Sequence, residues 1–310
     1  MARGNTVNAG GEEEQMKTKA TGPERANEHD ETPAPRMKRP KLGQNFLTDR
    51  NFAVKIVEAA GDISQKRVVE IGPGRGVLTD LLAQRAGRVI AIEIDRVLSA
   101  QLRMRYALRE NVEIIEGDIL KIDLGTVLGP RPGTLAGVTP RQPEPVRVIG
   151  NIPYFITSDI LLRLFAFHPL FDSIVIMVQK EVADRIAAKP GTRDYGLLSA
   201  TAQLYAKVEN LFTLPPGAFN PPPKVHSSVI RLTISPQFDK LKVSEREFID
   251  FLKLSFGQKR KTLVNNLKSK YDSAAIQAAM KKAGVRADAR AEALPLEKAA
   301  SIFRQLGAGS

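Results

Sequence analysis

Val68-Val69-Glu70-Ile71-Gly72-Pro73-Gly74-Arg75-Gly76 decides the fold class of this 310-residue chain. An apolar run ends in three closely spaced glycines, and the helical pattern of residues 77–86 follows at once. Glycine alone lets the backbone turn sharply there and approach a ligand, and the helix that follows directs its open N–H groups at whatever binds. A nucleotide-containing cofactor is implied. The spacing is Gly-x-Gly-x-Gly, since the position at which the dinucleotide pattern Gly-x-Gly-x-x-Gly needs its third glycine is Val77.

Outward from this loop, strand and helix signals alternate. Strands are expected at 68–72, 89–94, 112–116, 146–151 and 173–179, and helices at 77–86, 96–108 and 158–167. A first helix is expected before them, capped by Thr48 or Asp49, with Phe52, Ile56 and Val57 on one face. Such alternation means a mostly parallel sheet with helices on both faces, an α/β fold. The Gly- and Pro-rich segment 129–145 reads as an exposed insertion. Beyond a helical stretch at 181–206, strands are expected at 208–214 and 225–234. Helices follow at 260–269, 273–283 and 296–306, after a helix opened by a Ser244/Glu247 capping box.

Composition sets the outer limits. With 43% hydrophobic and 26% charged residues, the chain is long enough for one large and one small domain. It has no cysteine, which excludes disulfides, thiolate metal sites and cysteine nucleophiles and fits a reducing compartment. No apolar run approaches the ~20 residues of a membrane helix, and no signal peptide is evident, so a cytoplasmic protein is expected. The net charge is +12, which makes a polyanion the first partner to consider. Residues 1–36 carry −2 and few apolar side chains and are expected to be disordered, leaving +14 on the rest. Residues 237–310 hold fifteen Lys/Arg against eight Asp/Glu.

Candidate site residues cluster at strand ends, where open α/β sheets place ligands. Asn151-Ile152-Pro153-Tyr154 closes the strand at 146–151. The Asn151 amide oxygen, with a backbone carbonyl of Ile152 or Pro153, suits the two N–H groups of an exocyclic amine, and Tyr154 offers a stacking face, as an unstacked adenine requires. Phe219 is a candidate for the base's opposite face, or else a core anchor. Glu93 is placed to accept from ribose hydroxyls and Asp118 from an adenine amino group. His29, His168 and His226 are not expected to serve as a base. Lys259, Arg260 and Lys261, with Lys38, Arg39, Lys41 and Lys224, are the candidate phosphate contacts.

Together these motifs resemble a known family. The acid at Glu70 followed by Gly72, Gly74 and Gly76 is similar to the first motif of S-adenosylmethionine-dependent methyltransferases. Six further segments carry the likeness: Leu42-Gly43-Gln44-Asn45-Phe46-Leu47, Asn151 to Tyr154, Gln179 to Val182, Tyr195-Gly196, Phe219 with Pro221 to Val225, and Gln258 to Thr262. With them the chain resembles the ribosomal RNA adenine N6,N6-dimethyltransferases, in their bacterial small-subunit branch, over residues 38–306. The resemblance implies a Rossmann-like class I methyltransferase sheet at 37–236 and a small α-helical RNA-binding domain at 237–310. It implies S-adenosylmethionine as methyl donor without a metal, held by Asn45, Leu47, Gly72, Gly74, Glu93, Asp118 and Asn151. It also implies dimethylation of two adjacent adenosines in a hairpin near the 3′ end of small-subunit rRNA, by a monomer acting on that RNA or the pre-ribosomal subunit. The alternatives are a large-subunit adenine dimethyltransferase of the macrolide-resistance type and a non-catalytic rRNA-binding assembly factor.

Overall fold

The computed structural model describes residues 44–129 and 145–307. The expected disordered extension, the candidates Lys38, Arg39 and Lys41, and most of the 129–145 insertion lie outside the described residues. The described chain opens with a short strand, β1 (Phe46–Leu47), and a helix, α1 (Arg50–Glu58). Of the two expected caps, Asp49 starts the helix: its carboxylate accepts from the Asn51 and Phe52 N–H groups at 2.8 and 3.2 Å. Thr48 turns instead to the Ala218 carbonyl, 3.2 Å away.

Strand and helix then alternate as β2 (Arg67–Ile71), α2 (Val77–Arg85), β3 (Arg88–Glu93), α3 (Arg96–Arg105), β4 (Val112–Glu116), α4 (Leu124–Leu128), β5 (Val146–Asn151), α5 (Thr157–Ala166) and β6 (Phe171–Gln179). The short α4 was not expected from the sequence. The expected helix at 181–206 is two helices, α6 (Lys180–Ile186) and α7 (Leu197–Tyr205). Pro190, which lacks an N–H, and Gly191 at φ +87° break it between them. β7 (Ala206–Leu214), β8 (Phe219–Asn220) and β9 (Ser227–Ile234) follow.

The seven-stranded sheet has the order β4-β3-β2-β5-β6-β9-β7. Its first five strands are parallel, and β9 and β7 close it antiparallel. The chain steps from β2 out to β3 and β4, then returns to the other flank of β2 as β5. The carboxyl ends of these strands therefore open at a topological switch point. Alternate residues face opposite layers, as strand geometry demands: Val69, Ile174 and Ile176 enter one apolar cluster, and Val68, Val175 and Met177 the other. β1 and β8 form a separate two-stranded ladder pairing Phe46 with Asn220 and Leu47 with Phe219.

Five helices complete the chain: α8 (Phe238–Leu241), α9 (Glu245–Ser255), α10 (Leu263–Leu267), α11 (Ser273–Lys282) and α12 (Leu296–Gly307). Phe248 and Phe251 of α9 and Ile302 of α12 join the same apolar cluster as Val69 and Ile71 of the sheet. The described residues accordingly fall in one compact unit. Ser244 takes the N-cap backbone position of α9, but its side chain makes no capping bond, so the expected capping box does not form. The first turn is held from outside instead, where Glu245 accepts from the Tyr205 hydroxyl at 2.7 Å. No helix among the described residues is long and apolar enough to cross a membrane.

β2 buries an acid. Glu70 is 1% exposed and accepts from the Thr79 hydroxyl of α2 at 2.7 Å, which ties the strand to the helix behind the glycine loop. Burial pushes its pKa up to about 8; the Thr79 bond opposes this and nearby Glu93 adds to it. A carboxyl whose folded pKa lies above its unfolded value stabilises the fold at low pH and loses that contribution as pH rises towards the folded value. Glu70→Gln keeps the acceptor for Thr79 and removes the ionisation. In urea unfolding between about pH 5 and pH 8.5, the variant should therefore gain stability relative to wild type as pH rises. A difference between the two proteins that does not change with pH would contradict the assignment.

Candidate functional site

The glycine loop is built on left-handed backbone. Gly72, Gly74 and Gly76 have φ values of +69°, +57° and +83°. At Gly74 a Cβ would also press on the Phe46 ring at 3.0 Å, and at Gly76 it would meet Leu102 and the Tyr106 hydroxyl at 3.0 Å. Phe46 thus lies against the loop, with the Arg75 guanidinium 4.7 Å from its ring centre. From β3, Glu93 reaches under the same loop: one carboxylate oxygen accepts from the Gly74 N–H and the other from the Asp95 N–H, both at 2.9 Å.

Beside this loop lies a cavity of about 250 Å³ at the ends of β2, β3, β4 and β5. It gathers most of the expected residues: Asn45, Gly72, Gly74, Glu93, Asp118, and Asn151 to Tyr154. Ile92, Ile119, Leu120 and Ile160 supply an apolar lining. Glu93 is 2% exposed; burial raises its pKa, and the two backbone N–H bonds pull the other way. Asp118 accepts from the Leu120 N–H at 2.9 Å, so it holds its own turn while bordering the cavity.

Asn151 is oriented by a residue far away in sequence. Its side-chain NH₂ donates to the Asn45 carbonyl at 3.0 Å, which leaves the amide oxygen as the acceptor for a substrate N–H. Tyr154 is fixed likewise, its hydroxyl 2.5 Å from the Ser227 hydroxyl at the start of β9. Burial raises the phenol pKa, so Tyr154 stays neutral and presents a ring rather than a charge. Ser227 carries no signal in the sequence, because the contact spans 73 residues. An amide acceptor, a neutral aromatic face and apolar walls suit a planar heteroaromatic amine.

Two expected residues lie elsewhere. Phe219 is 3% exposed, belongs to the cluster containing Leu214 and Val229, and does not line the cavity. Pairing between β1 and β8 sets it opposite Leu47, beside the Asn45–Phe46 segment. Leu47, 4% exposed, packs into the same cluster and borders only a small cleft behind the loop. His168 sits among Phe165, Tyr205 and Phe238, and His226 is exposed outside the cavity. Among the described residues no group of three or more His, Cys, Asp or Glu side chains is arranged to hold a metal.

The candidate phosphate contacts form a separate surface. Lys259, Arg260 and Lys261 are exposed between α9 and α10, and Lys224 is exposed before β9. Lys259 donates to the Arg193 carbonyl at 2.7 Å, and none of these four meets an acidic partner among the described residues.

Known proteins share this arrangement. Residues 36–307 match the model of the family described as ribosomal RNA adenine dimethylase. A ribosomal RNA small subunit methyltransferase A from Koribacter versatilis is 62% identical over 287 residues, 93% of this chain and 100% of the relative. The protein of the same name from Acidobacterium capsulatum is 53% identical, over 86% of this chain and 91% of its own length. Among solved structures, a dimethyladenosine transferase from Plasmodium falciparum superimposes with a TM-score of 0.68 at 26% identity, covering 84% of this chain and 98% of that one. The 23S rRNA methyltransferase ErmE gives 0.62 at 28% identity, covering 85% and 100%. With nearly the whole chain matched, on a sheet whose switch point carries the glycine loop and the Asn151 tetrapeptide side by side, the protein belongs to the ribosomal RNA adenine dimethylase family.

Proposed function

We propose that this protein is an S-adenosylmethionine-dependent methyltransferase that dimethylates N6 of two adjacent adenosines in a hairpin loop near the 3′ end of small-subunit rRNA, in the cytoplasm. One observation carries the reading of the site: Asn45 holds the Asn151 amide so that its oxygen remains as acceptor, in a cavity also lined by Tyr154 and Glu93. The small-subunit choice is supported by 62% identity to a relative of that name over its full length, against 28% to the large-subunit enzyme ErmE.

The residues present fit the cofactor. Gly72 and Gly74 border the cavity with backbone at φ values that other residues rarely adopt, and the Glu93 and Asp118 carboxylates are acceptors on its wall. Glu93 would take the ribose hydroxyls and Asp118 the adenine amino group. When bound, S-adenosylmethionine supplies an electrophilic methyl on a sulfonium.

The chain's own residues position the acceptor. The N6 lone pair of adenine is delocalised into the ring, so the amine is a weak nucleophile until its N–H groups are held. Asn151 accepts one N–H, a backbone carbonyl of Ile152 or Pro153 accepts the other, and Tyr154 supports the ring, which makes positioning the main catalytic device. N6 becomes acidic as it is alkylated and gives up its proton readily, so no strong base is needed. The apolar lining accommodates a methylated amine at the second transfer. An adenine reaches this cavity only when unstacked, as in a loop. The helices from α9 onward, with Lys259, Arg260, Lys261 and Lys224, would hold the surrounding phosphates.

Incubation with labelled methyl donor and under-methylated small or large ribosomal subunits, followed by mapping of the product, tests the reading directly. Label confined to large-subunit RNA would overturn it. Asn151→Ala should lower turnover by about 100-fold or more with the fold retained, a scale set by lost positioning. Near-normal turnover would refute the amine-orienting role. Glu93→Ala should weaken S-adenosylmethionine binding by roughly tenfold or more in calorimetry, as expected for losing hydrogen bonds to a charged group, and unchanged affinity would contradict the ribose assignment. Replacing Lys259, Arg260 and Lys261 with glutamine should reduce the slope of log affinity for RNA against log salt by about two units; a slope equal to wild type would show that these side chains do not neutralise phosphates.

A further inference from the structure

Phe155 follows Tyr154 in the single turn after β5 and is 68% exposed. Seven large apolar side chains are strongly exposed among the described residues, and only Phe155 and Ile94, the latter 49% exposed, also border the cavity of Asn151 and Tyr154. The two aromatic neighbours differ in what they touch. Tyr154 is tied to Ser227, whereas Phe155 makes no ring or cation contact among the described residues. The turn that carries it is closed by the Ile156 N–H, which donates to the Pro153 carbonyl at 3.3 Å. A bare aromatic ring thus stands at the cavity mouth.

This geometry meets a need created by the chemistry. A base drawn from its stack into the cavity leaves the next base of the strand with one face uncovered. We propose that Phe155 is a stacking platform for the base flanking the target adenosine. The proposal rests on the adenine-methylation reading above. It makes Phe155 a residue that positions the RNA strand, through stacking that depends on π-surface and not on a hydrogen-bond code.

The test uses the full-length protein and RNA hairpins carrying 2-aminopurine, whose fluorescence falls on stacking, either 5′ or 3′ of the target adenosine. Wild type and Phe155→Tyr should quench the probe at one of the two positions. Phe155→Ala and Phe155→Leu should lose that quenching, and their KM for RNA should rise about tenfold, ~1.4 kcal/mol, with a smaller change in kcat and an unchanged melting temperature. Leucine separates stacking from simple apolar cover: if Phe155→Leu quenches and methylates like wild type, the platform is overturned. An active wild-type enzyme that quenches at neither position overturns it as well. A wild-type protein that methylates no adenosine in small-subunit RNA overturns the parent reading instead, so the two failures are distinct.

Discussion

The site depends on the close approach of β5 to β2. At Gly150 the two backbones lie so near that a Cβ would come within 2.9 Å of the Ile71 carbonyl oxygen, which the parallel ladder holds in place. One residue on, a Cβ at Gly72 would stand 3.4 Å from the Asn151 carbonyl. A side chain at Gly150 would force the strands apart there. Because neither glycine has one, the last residues of β2 and β5 leave the sheet side by side. The glycine loop and the Asn151 tetrapeptide therefore open onto one cavity rather than two.

A second constraint locks the halves of the cavity together. The short segment from Asn45 to Leu47 touches the glycine loop through Phe46 and Asn151 through the Asn45 carbonyl. Through Leu47 it also engages the β8 strand, where Phe219 is buried. Leu47 and Phe219 are both buried in the same apolar cluster. Their contribution is to place Asn45 and Phe46. Apolar side chains beside a cavity lower the free energy more by joining an existing cluster than by facing open space.

Electrostatics separate the cavity from the cationic surface. Glu70 and Glu93 are buried behind and beneath the loop, each satisfied by hydroxyl or backbone donors. Lys259, Arg260 and Lys261, which meet no acidic partner among the described residues, sit on the helical part of the chain. The cavity wall offers acceptors to neutral and hydroxylic groups, while these cations lie elsewhere, where charge is screened by solvent and salt.

Much of the chain was legible because its determinants are local. Apart from α4, strand and helix segments from β2 to β6 follow from periodicity and match the expected ranges to within about three residues at each end. The positive φ values at Gly72, Gly74 and Gly76 follow from residue type and spacing. Local reading passed over a local helix breaker at Pro190-Gly191, and at Ser244 the local capping signal was overridden, its side chain making no capping bond. The sequence by itself therefore determined the α/β class, the glycine turn, the strand-end acids and the tetrapeptide. Only the tertiary structure decided which way Asn151 presents its amide, what holds Tyr154, and that Phe219 faces the core while Phe155 faces solvent. The physical reason is separation along the chain: the bonds to Asn45, Ser227 and Ala218 join residues 106, 73 and 170 positions apart. No periodicity or spacing encodes such contacts, and they form only once the sheet has brought its strand ends together.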